Sequence, residues 1–359
     1  MLSIYQKYLI KKFLQKILKV SIIFLLLIII LNTFDEISFF KELDVGFLFP
    51  FILTLSNAPS ILFEIFPFIF LISALLFFLD LINFNELDVL KINGLNNLKI
   101  IKLLFFTSVF LGFFLVIFYY SFSSKLKFLY LDLKSSYTTD GKYLSVINEN
   151  GIWIKDEINE DIFIINAKKI EKNELRNVFI NQFNLKFELK NTIISKAVDI
   201  SKNEWLIYYP ITTDGYKDLV QNNILKLNTN FNVLKINQMF SDLSSLNILK
   251  LIKLSNDYKK LGYSTTEVHS HLNKIYTYPV YLALMTLFSS IIMLNIKKNR
   301  PMIFYLILSI FLSVVIYYFK VVFNLLGETG KIPVYASTWM PIFILIVLVS
   351  IGLIRINEK

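Results

Sequence analysis

The chain has 359 residues, of which 55% are hydrophobic, with a net charge of +10 and no cysteine. So much apolar surface excludes an ordinary soluble domain, and a bilayer is the expected solvent. The lack of cysteine excludes disulfides and thiolate metal sites, and lysines clustered beside apolar runs indicate membrane orientation rather than nucleic-acid binding.

The first third of the chain contains three apolar stretches, each long enough to cross about 30 Å of hydrocarbon. The first span is predicted at Ile17 to Phe34, and no small-residue cleavage site follows it, so we interpret it as uncleaved. An acidic segment comes next, with Asp35, Glu36, Glu42 and Asp44. The stretch from Gly46 to Phe84 contains three prolines, which divide it into an interfacial piece and a second span from Ser60 to Ile82. A third span is predicted at Ile100 to Phe122, after a basic turn.

The segment from Ser123 to Asn273 consists of short alternating stretches that are typical of β-strands. Strands are predicted at Tyr143 to Ile147, Ile152 to Lys155, Ile162 to Ile165, Phe183 to Leu189 and Trp205 to Tyr209. Asp140-Gly141 and Asn150-Gly151 are turn signals. About 150 residues suffice to bury a core, so a jelly-roll-like β domain is expected. Apolar spacing predicts a helix from Leu243 to Leu261 that leads back to the membrane.

Three further spans are predicted at Ile275 to Ile296, Met302 to Leu326 and Ala336 to Ile354. The fold class is therefore membrane α-helical, with six transmembrane helices and an inserted periplasmic β-rich, jelly-roll-like domain. Its predicted parts are residues 1–122, 123–273 and 274–359. Basic residues place both termini and two turns in the cytoplasm and the β domain outside; they include Lys91, Lys99, Lys297, Lys298, Arg300 and Arg355.

The chain offers no sequence evidence of catalysis. There is no P-loop, no Gly-rich nucleotide cradle and no credibly spaced Ser/His/Asp set. His269 and His271, near Glu267, are two residues apart and point to different faces of a helix, so we interpret them as solvated rather than metal-binding. No catalytic residue, metal or cofactor is expected.

A short helix is predicted near residues 84–93, between the second and third spans. Asn83 is the expected cap, Glu86 lies at the third position and Gly94 supplies a left-handed stop. On local chemistry alone, the carboxylate of Glu86 has two interpretations: a capping group or a contact for a partner protein.

Several segments, taken in their order along the chain, resemble the permeases of the lipopolysaccharide export ABC transporter, the LptF/LptG family. Asn85-Glu86-Leu87-Asp88 through Gly94-Leu95 is similar to the stretch that forms the family's ATPase-coupling helix. Asn150-Gly151-Ile152-Trp153 and Leu326-Gly327-Glu328-Thr329-Gly330 resemble a strand of the outer domain and the turn into the last span, the latter closer to LptG. The resemblance implies that the ATPase-coupling residues are Asn85, Glu86, Leu87, Asp88, Leu90 and Gly94.

The resemblance also implies partners and a location. It predicts an inner-membrane complex of this chain with a homologous permease subunit, a cytoplasmic ATPase dimer and a periplasmic bridge protein that has a similar β domain. The complex would move lipopolysaccharide, and this chain would not itself be an enzyme. The alternative is a membrane-anchored periplasmic binding or assembly protein without transport activity. A proton-driven transporter is disfavoured, because paired broken helices with ionisable residues at mid-membrane are not seen.

A few polar or aromatic residues are candidates for the lipid path. Lys320 lies within the fifth span, where a charge needs a partner or access to headgroups, and Glu64 is one candidate partner. Lys41 and Lys331 are candidate rim cations, and Asn32 stands where the family resemblance suggests a lysine. Trp153 and Trp205 are either core residues of the β domain or the wall of an acyl-chain groove.

Overall fold

The computed structural model describes residues 3–41, 45–46, 48–135, 137, 152–158, 161–171, 173–213, 218–220, 224–233, 236, 242–260, 263–295 and 302–357. The predicted strand Tyr143 to Ile147, both predicted Asp-Gly and Asn-Gly turns, and Lys297, Lys298 and Arg300 lie outside these residues. The chain divides into a membrane unit, Met1–Lys127 with Thr266–Lys359, and a β unit, Phe128–Thr265.

The described helices are long and largely apolar. They are α1 (Ile4–Phe39), α2 (Leu48–Asn83), α3 (Glu86–Ile92), α4 (Asn97–Phe114), a π-helical turn (Leu115–Tyr119), α5 (Tyr120–Ser135), α6 (Ile248–Lys260), α7 (Thr266–Leu294), α8 (Met302–Glu328) and α9 (Val334–Asn357). Six helical stretches in the described residues are long and apolar enough to span a membrane. This confirms the predicted membrane α-helical class with an inserted β-rich domain.

Two helices extend beyond the predicted spans, and the predicted break in the second stretch was wrong. Asp35 and Glu36 belong to α1, which continues to Phe39, and α2 is one continuous helix that contains Pro59 and Pro67. Pro67 has no N–H to bond the carbonyl four residues earlier, at Phe63. The hydroxyl of Tyr278 on α7 donates to that carbonyl instead, which lets the helix continue within the membrane unit.

The third span is also longer than predicted. The helix begins at Asn97, where the Asn96 side chain accepts the Lys99 N–H at 3.0 Å, and it runs through the π-helical turn to Ser135. The hydroxyl of Tyr119, in this turn, donates to the carbonyl of Pro59 at 3.2 Å. The predicted start of the β domain at Ser123 is therefore still helical.

The β unit contains one curled antiparallel sheet, a half-barrel. Its strands are β1 (Ile152–Ile158), β2 (Asp161–Glu171), β3 (Glu174–Phe183), β4 (Leu189–Asp199), β5 (Glu204–Tyr208), β6 (Ile211–Thr213), β7 (Asp218–Val220) and β8 (Leu225–Asn228). Their order is β1-β2-β3-β4-β5-β8, with β6 paired to β4 and β7. Alternating burial gives the sheet one core face, which includes Ile154, Ile165, Ile180 and Ile193 in register.

The predicted strand from Phe183 to Leu189 was wrong, because residues 184–188 make the turn between β3 and β4, which end and begin at Phe183 and Leu189. The side-chain oxygen of Asn184 accepts the backbone N–H groups of Lys186 and Glu188, each at 2.9 Å, and Phe187 has a positive φ of 59°. The helix predicted at Leu243 to Leu261 is divided into a 3₁₀ turn, Leu243–Ser245, and α6. The side chain of Asp242 caps that turn through the N–H of Ser244.

Candidate functional site

The short helix α3 is delimited by two residues in the left-handed conformation. Asn85 (φ 55°) precedes it and Gly94 (φ 82°) follows it. The N–H of Gly94 bonds the carbonyl of Lys91 and the N–H of Leu95 bonds that of Leu90, at 2.9 and 3.0 Å, which is a Schellman ending. The stop at Gly94 is as predicted. The cap is not, because Asn83 ends α2 and Asn85 takes the cap position without a side-chain bond.

The two sides of α3 differ in character. Leu87 is 8% exposed and belongs to the apolar core of the membrane unit, with the half-buried Leu90 packed against that core. Val89 and Ile92 are 56% and 85% exposed, on the opposite side, next to the exposed Asp88. Of the predicted coupling residues, Leu87 and Leu90 therefore anchor α3, whereas Asp88 is available to a partner.

The carboxylate of Glu86 is held within the chain. The ammonium of Lys12 lies 2.7 Å from both of its oxygens, and the hydroxyl of Tyr8 donates to one of them at 3.0 Å. One turn further along α1, Lys16 pairs with Asp80 of α2 at 2.5 Å. These ion pairs were not predicted. The Lys12/Lys16 spacing of four residues was the available signal, since it places both ammonium groups on one side of α1.

Lys320 lies on the inward-facing stripe of α8, together with the buried residues Ser309, Ser313 and Asn324. Its ammonium sits 3.8 Å from the centre of the Tyr281 ring on α7. Both residues line a cavity of about 220 Å³ whose other walls are apolar residues of α8 and α9: Val315, Ile316, Phe319, Pro341, Ile342, Ile344, Leu345 and Leu348. Lys320 thus contacts Tyr281, and its candidate partner Glu64 is an exposed residue of α2, so that their pairing stays a prediction.

The remaining lipid-path candidates lie apart in the helices and turns. Asn32 donates its side-chain N–H to the carbonyl of Ile28 in its own helix, at 2.9 Å. Lys41 and Lys331 are exposed, directly after α1 and after the left-handed Gly330 that ends α8. A nearby ion pair that was not predicted joins Lys274 of α7 to Glu328 of α8 at 2.6 Å.

The two tryptophans of the β unit lie on opposite faces of the sheet. Trp205 is fully buried and donates its indole N–H to the carbonyl of Phe231 at 2.8 Å. Trp153 is 56% exposed and alternates with the buried Ile152 and Ile154. The structure therefore gives Trp205 a core position and does not bring the two side chains to one groove.

The histidine pair is only partly as predicted. His271 is half-buried, and its Nε2 lies 2.9 Å from the hydroxyl of Tyr120, so it is not simply solvated. Among the residues that the structure describes, no three His, Asp or Glu side chains are grouped to hold a metal ion.

The chain was compared with protein families. Residues 7–355 match the family model described as lipopolysaccharide export system permease LptF/LptG. The matched range includes α3, the sheet and Lys320. A search of curated proteins gave no match to the chain.

Proposed function

Because this chain belongs to the lipopolysaccharide export system permease family LptF/LptG, we propose that it is one permease subunit of an ABC transporter. The complex would extract lipopolysaccharide from the inner membrane and pass it to a periplasmic bridge. The family match over residues 7–355 is the observation that carries this proposal. The family is one of multi-pass transport permeases rather than enzymes.

The proposed complex contains a homologous permease, a cytoplasmic ATPase dimer and a bridge protein with a similar β domain. ATP would be hydrolysed by the ATPase subunits, and their conformational change would be transmitted to this chain through α3. The exposed side of α3 supports this assignment, because Val89 and Ile92 offer an apolar pair beside the carboxylate of Asp88. An apolar centre within a polar rim is the usual arrangement of a protein interface.

The proposed lipid path includes Lys320. A lysine in a membrane helix is costly unless it reaches a partner, and lipid A phosphates would supply an anionic one. The wall around Lys320 is apolar, which suits acyl chains. Lys41 and Lys331, both exposed, are proposed to attract phosphates at the rim.

Reconstitution tests the proposal. The full chain, its homologous permease and the ATPase are placed in proteoliposomes with lipopolysaccharide, and ATP-dependent release to a soluble bridge protein is measured. We expect release to require this chain. Unchanged release without it, and purification of the chain without an ATPase, would support the membrane-anchored binding protein instead.

The docking side of α3 gives a first prediction. Ile92→Asp should reduce co-purification of the ATPase by about tenfold or more, because it places a charge where docking would bury an apolar side chain. Ile4→Asp is the matched control, since Ile4 is equally exposed, on α1. Equal co-purification of both variants with the ATPase would contradict the assignment of this side of α3.

A further inference from the structure

The first turns of α1 extend beyond its membrane span. The helix has 36 residues, so at 1.5 Å per residue it is about 54 Å long, whereas the hydrocarbon core is about 30 Å thick. The continuous apolar run begins near Ile17. Residues 4–16, which precede this run, form the N-terminal arm of α1, at the end of the membrane unit that holds α3.

One side of this arm packs on α2. Leu9 and Phe13 are fully buried in the core of the membrane unit. The ring of Phe13 lies edge-on to Phe70 and Phe77, with ring centres 6.5 and 5.8 Å apart. The arm is thus fixed along α2 by apolar contacts. These contacts also fix the position, along α2, of the polar residues on the neighbouring side of the arm.

That polar stripe consists of Tyr8, Lys12 and Lys16, spaced by four residues. Lys16 pairs with Asp80, in the last turn of α2, whereas Lys12 and Tyr8 bind Glu86, the first residue of α3. Both ion pairs are largely withdrawn from solvent, with the Lys12 and Glu86 side chains 14% and 28% exposed. Such pairs are less screened than fully exposed ones.

The two ion pairs lie on either side of the junction between α2 and α3. At this junction the chain leaves the helical conformation, because Asn85 has a φ of 55°. When two rigid helices move relative to each other, the residues at a junction of this kind take up the change in backbone angles. Lys12 and Lys16 lie on one rigid helix, α1. Through their ion pairs they connect this helix to α2 before the junction and to α3 after it.

We infer that this ion-paired stripe makes the arm of α1 a splint across the α2–α3 junction, which carries a displacement of α3 into the first membrane span. Lys12 and Glu86 are then positioning residues for transport, and Glu86 acts through Lys12. The inference rests on the proposed function, because α3 is displaced only if an ATPase docks on it.

A charge-swap cycle in the reconstituted complex tests the inference. Lys12→Glu and Glu86→Lys alone should each lower ATP-coupled lipopolysaccharide release by about tenfold, since each places like charges together, while the double variant should recover to within about threefold of the native chain. Lys11→Glu, at an exposed neighbouring position, is the control and should change release little. ATPase co-purification should be unchanged in all four variants.

A different result would overturn the inference. If Glu86→Lys loses the ATPase and the double variant fails to regain it, Glu86 contacts the ATPase directly. If both single variants release lipopolysaccharide normally, the splint carries no motion.

A second measurement does not depend on transport. The full-length chain has no native thiol, so spin labels at Gln15→Cys and Ile92→Cys report the distance between the arm and α3 in nanodiscs. The native distribution should be narrow, Lys12→Glu should broaden it, and the swap should restore it. If the double variant restores the label distance but the native complex releases no lipopolysaccharide, only the proposed function is contradicted. If Lys12→Glu leaves the distance distribution unchanged, the splint is contradicted.

Discussion

Lys320 has a structural contact in the membrane unit and, in the proposed function, a place in the lipid path. A cation on an inward stripe of a membrane helix is expensive, and the Tyr281 ring at 3.8 Å offsets part of that cost. The Tyr281 hydroxyl is buried without a hydrogen-bond partner in the described structure. The pair thus holds a charge and a free donor beside an apolar cavity, and both groups suit an anionic lipid.

Substitution of Lys320 separates these roles. Lys320→Arg keeps the charge and should retain part of the transport activity, whereas Lys320→Ala should lower lipopolysaccharide release by about tenfold. Tyr281→Phe keeps the ring and should preserve folding. The measurement is ATP-dependent release in proteoliposomes.

Photo-crosslinking supplies the control for the same residue. A crosslinker at position 320 should give lipopolysaccharide adducts, and one at the exposed, lipid-facing Phe311 should not. Absence of adducts at 320 together with normal release by Lys320→Ala would leave Lys320 as a snorkelling residue without a place in the lipid path.

At the scale of single elements, the sequence predicted features that depend on neighbouring residues, but not those that depend on residues far apart in the chain. Gly94 predicted the end of α3 because a left-handed stop is a local requirement. The partner of Glu86 was not predictable, since Lys12 is 74 residues away. The same holds for α2: its prolines predicted a break, and the hydroxyl that prevents one at Pro67 belongs to a residue 215 positions from Phe63.

In the β unit, alternation identified β1, β2 and β5 but failed for the hairpin of β3 and β4. Apolar residues at Phe183, Leu185, Phe187 and Leu189 imitate a strand, yet Asn184 turns the chain by accepting two backbone N–H groups. Trp205 illustrates the remaining limit. From the sequence it was either a core or a groove residue, and only the fold shows that it pairs with Leu227 and donates to the carbonyl of Phe231 in the core.

The seam between α4 and α7 depends on a close approach at one glycine. A Cβ on Gly112 would lie 2.6 Å from Cα of Pro279, and a hydrogen bond of 2.9 Å joins Ser108 to Thr286 in the same seam. Small residues allow membrane helices to pack this closely.

Gly112→Ala should therefore destabilise the membrane unit by about 1–3 kcal/mol, because the backbone of Pro279 has to shift. The measurement is the thermal unfolding midpoint of the full chain in detergent. Gly46→Ala is the control, since its added Cβ would meet nothing within 4 Å. An unchanged midpoint for Gly112→Ala would show that α4 and α7 can accommodate the added methyl group without loss of stability.

At the scale of the whole molecule, the family match and the six apolar helices agree on a multi-pass membrane protein that carries a β unit between its third and fourth spans. An even number of spans returns the chain to the side on which it began. The basic residues decide which side that is, because lysines and arginines beside a span favour the cytoplasm. Lys7, Lys11 and Lys12 in α1, with Lys91, Lys99 and Arg355, lie on the side that holds α3.

Cysteine accessibility should therefore assign α3 to the cytoplasm and the sheet to the periplasm. The chain has no native cysteine, so Asn93→Cys and Lys186→Cys each introduce a single thiol at an exposed position. A membrane-impermeant maleimide should label position 186 in intact spheroplasts and position 93 only after the inner membrane is opened. Leu75→Cys, in the buried core, should stay unlabelled in both conditions. Labelling of position 93 from outside, or of position 186 only from the cytoplasmic side, would invert the topology, and α3 would then be on the wrong side of the membrane to meet an ATPase.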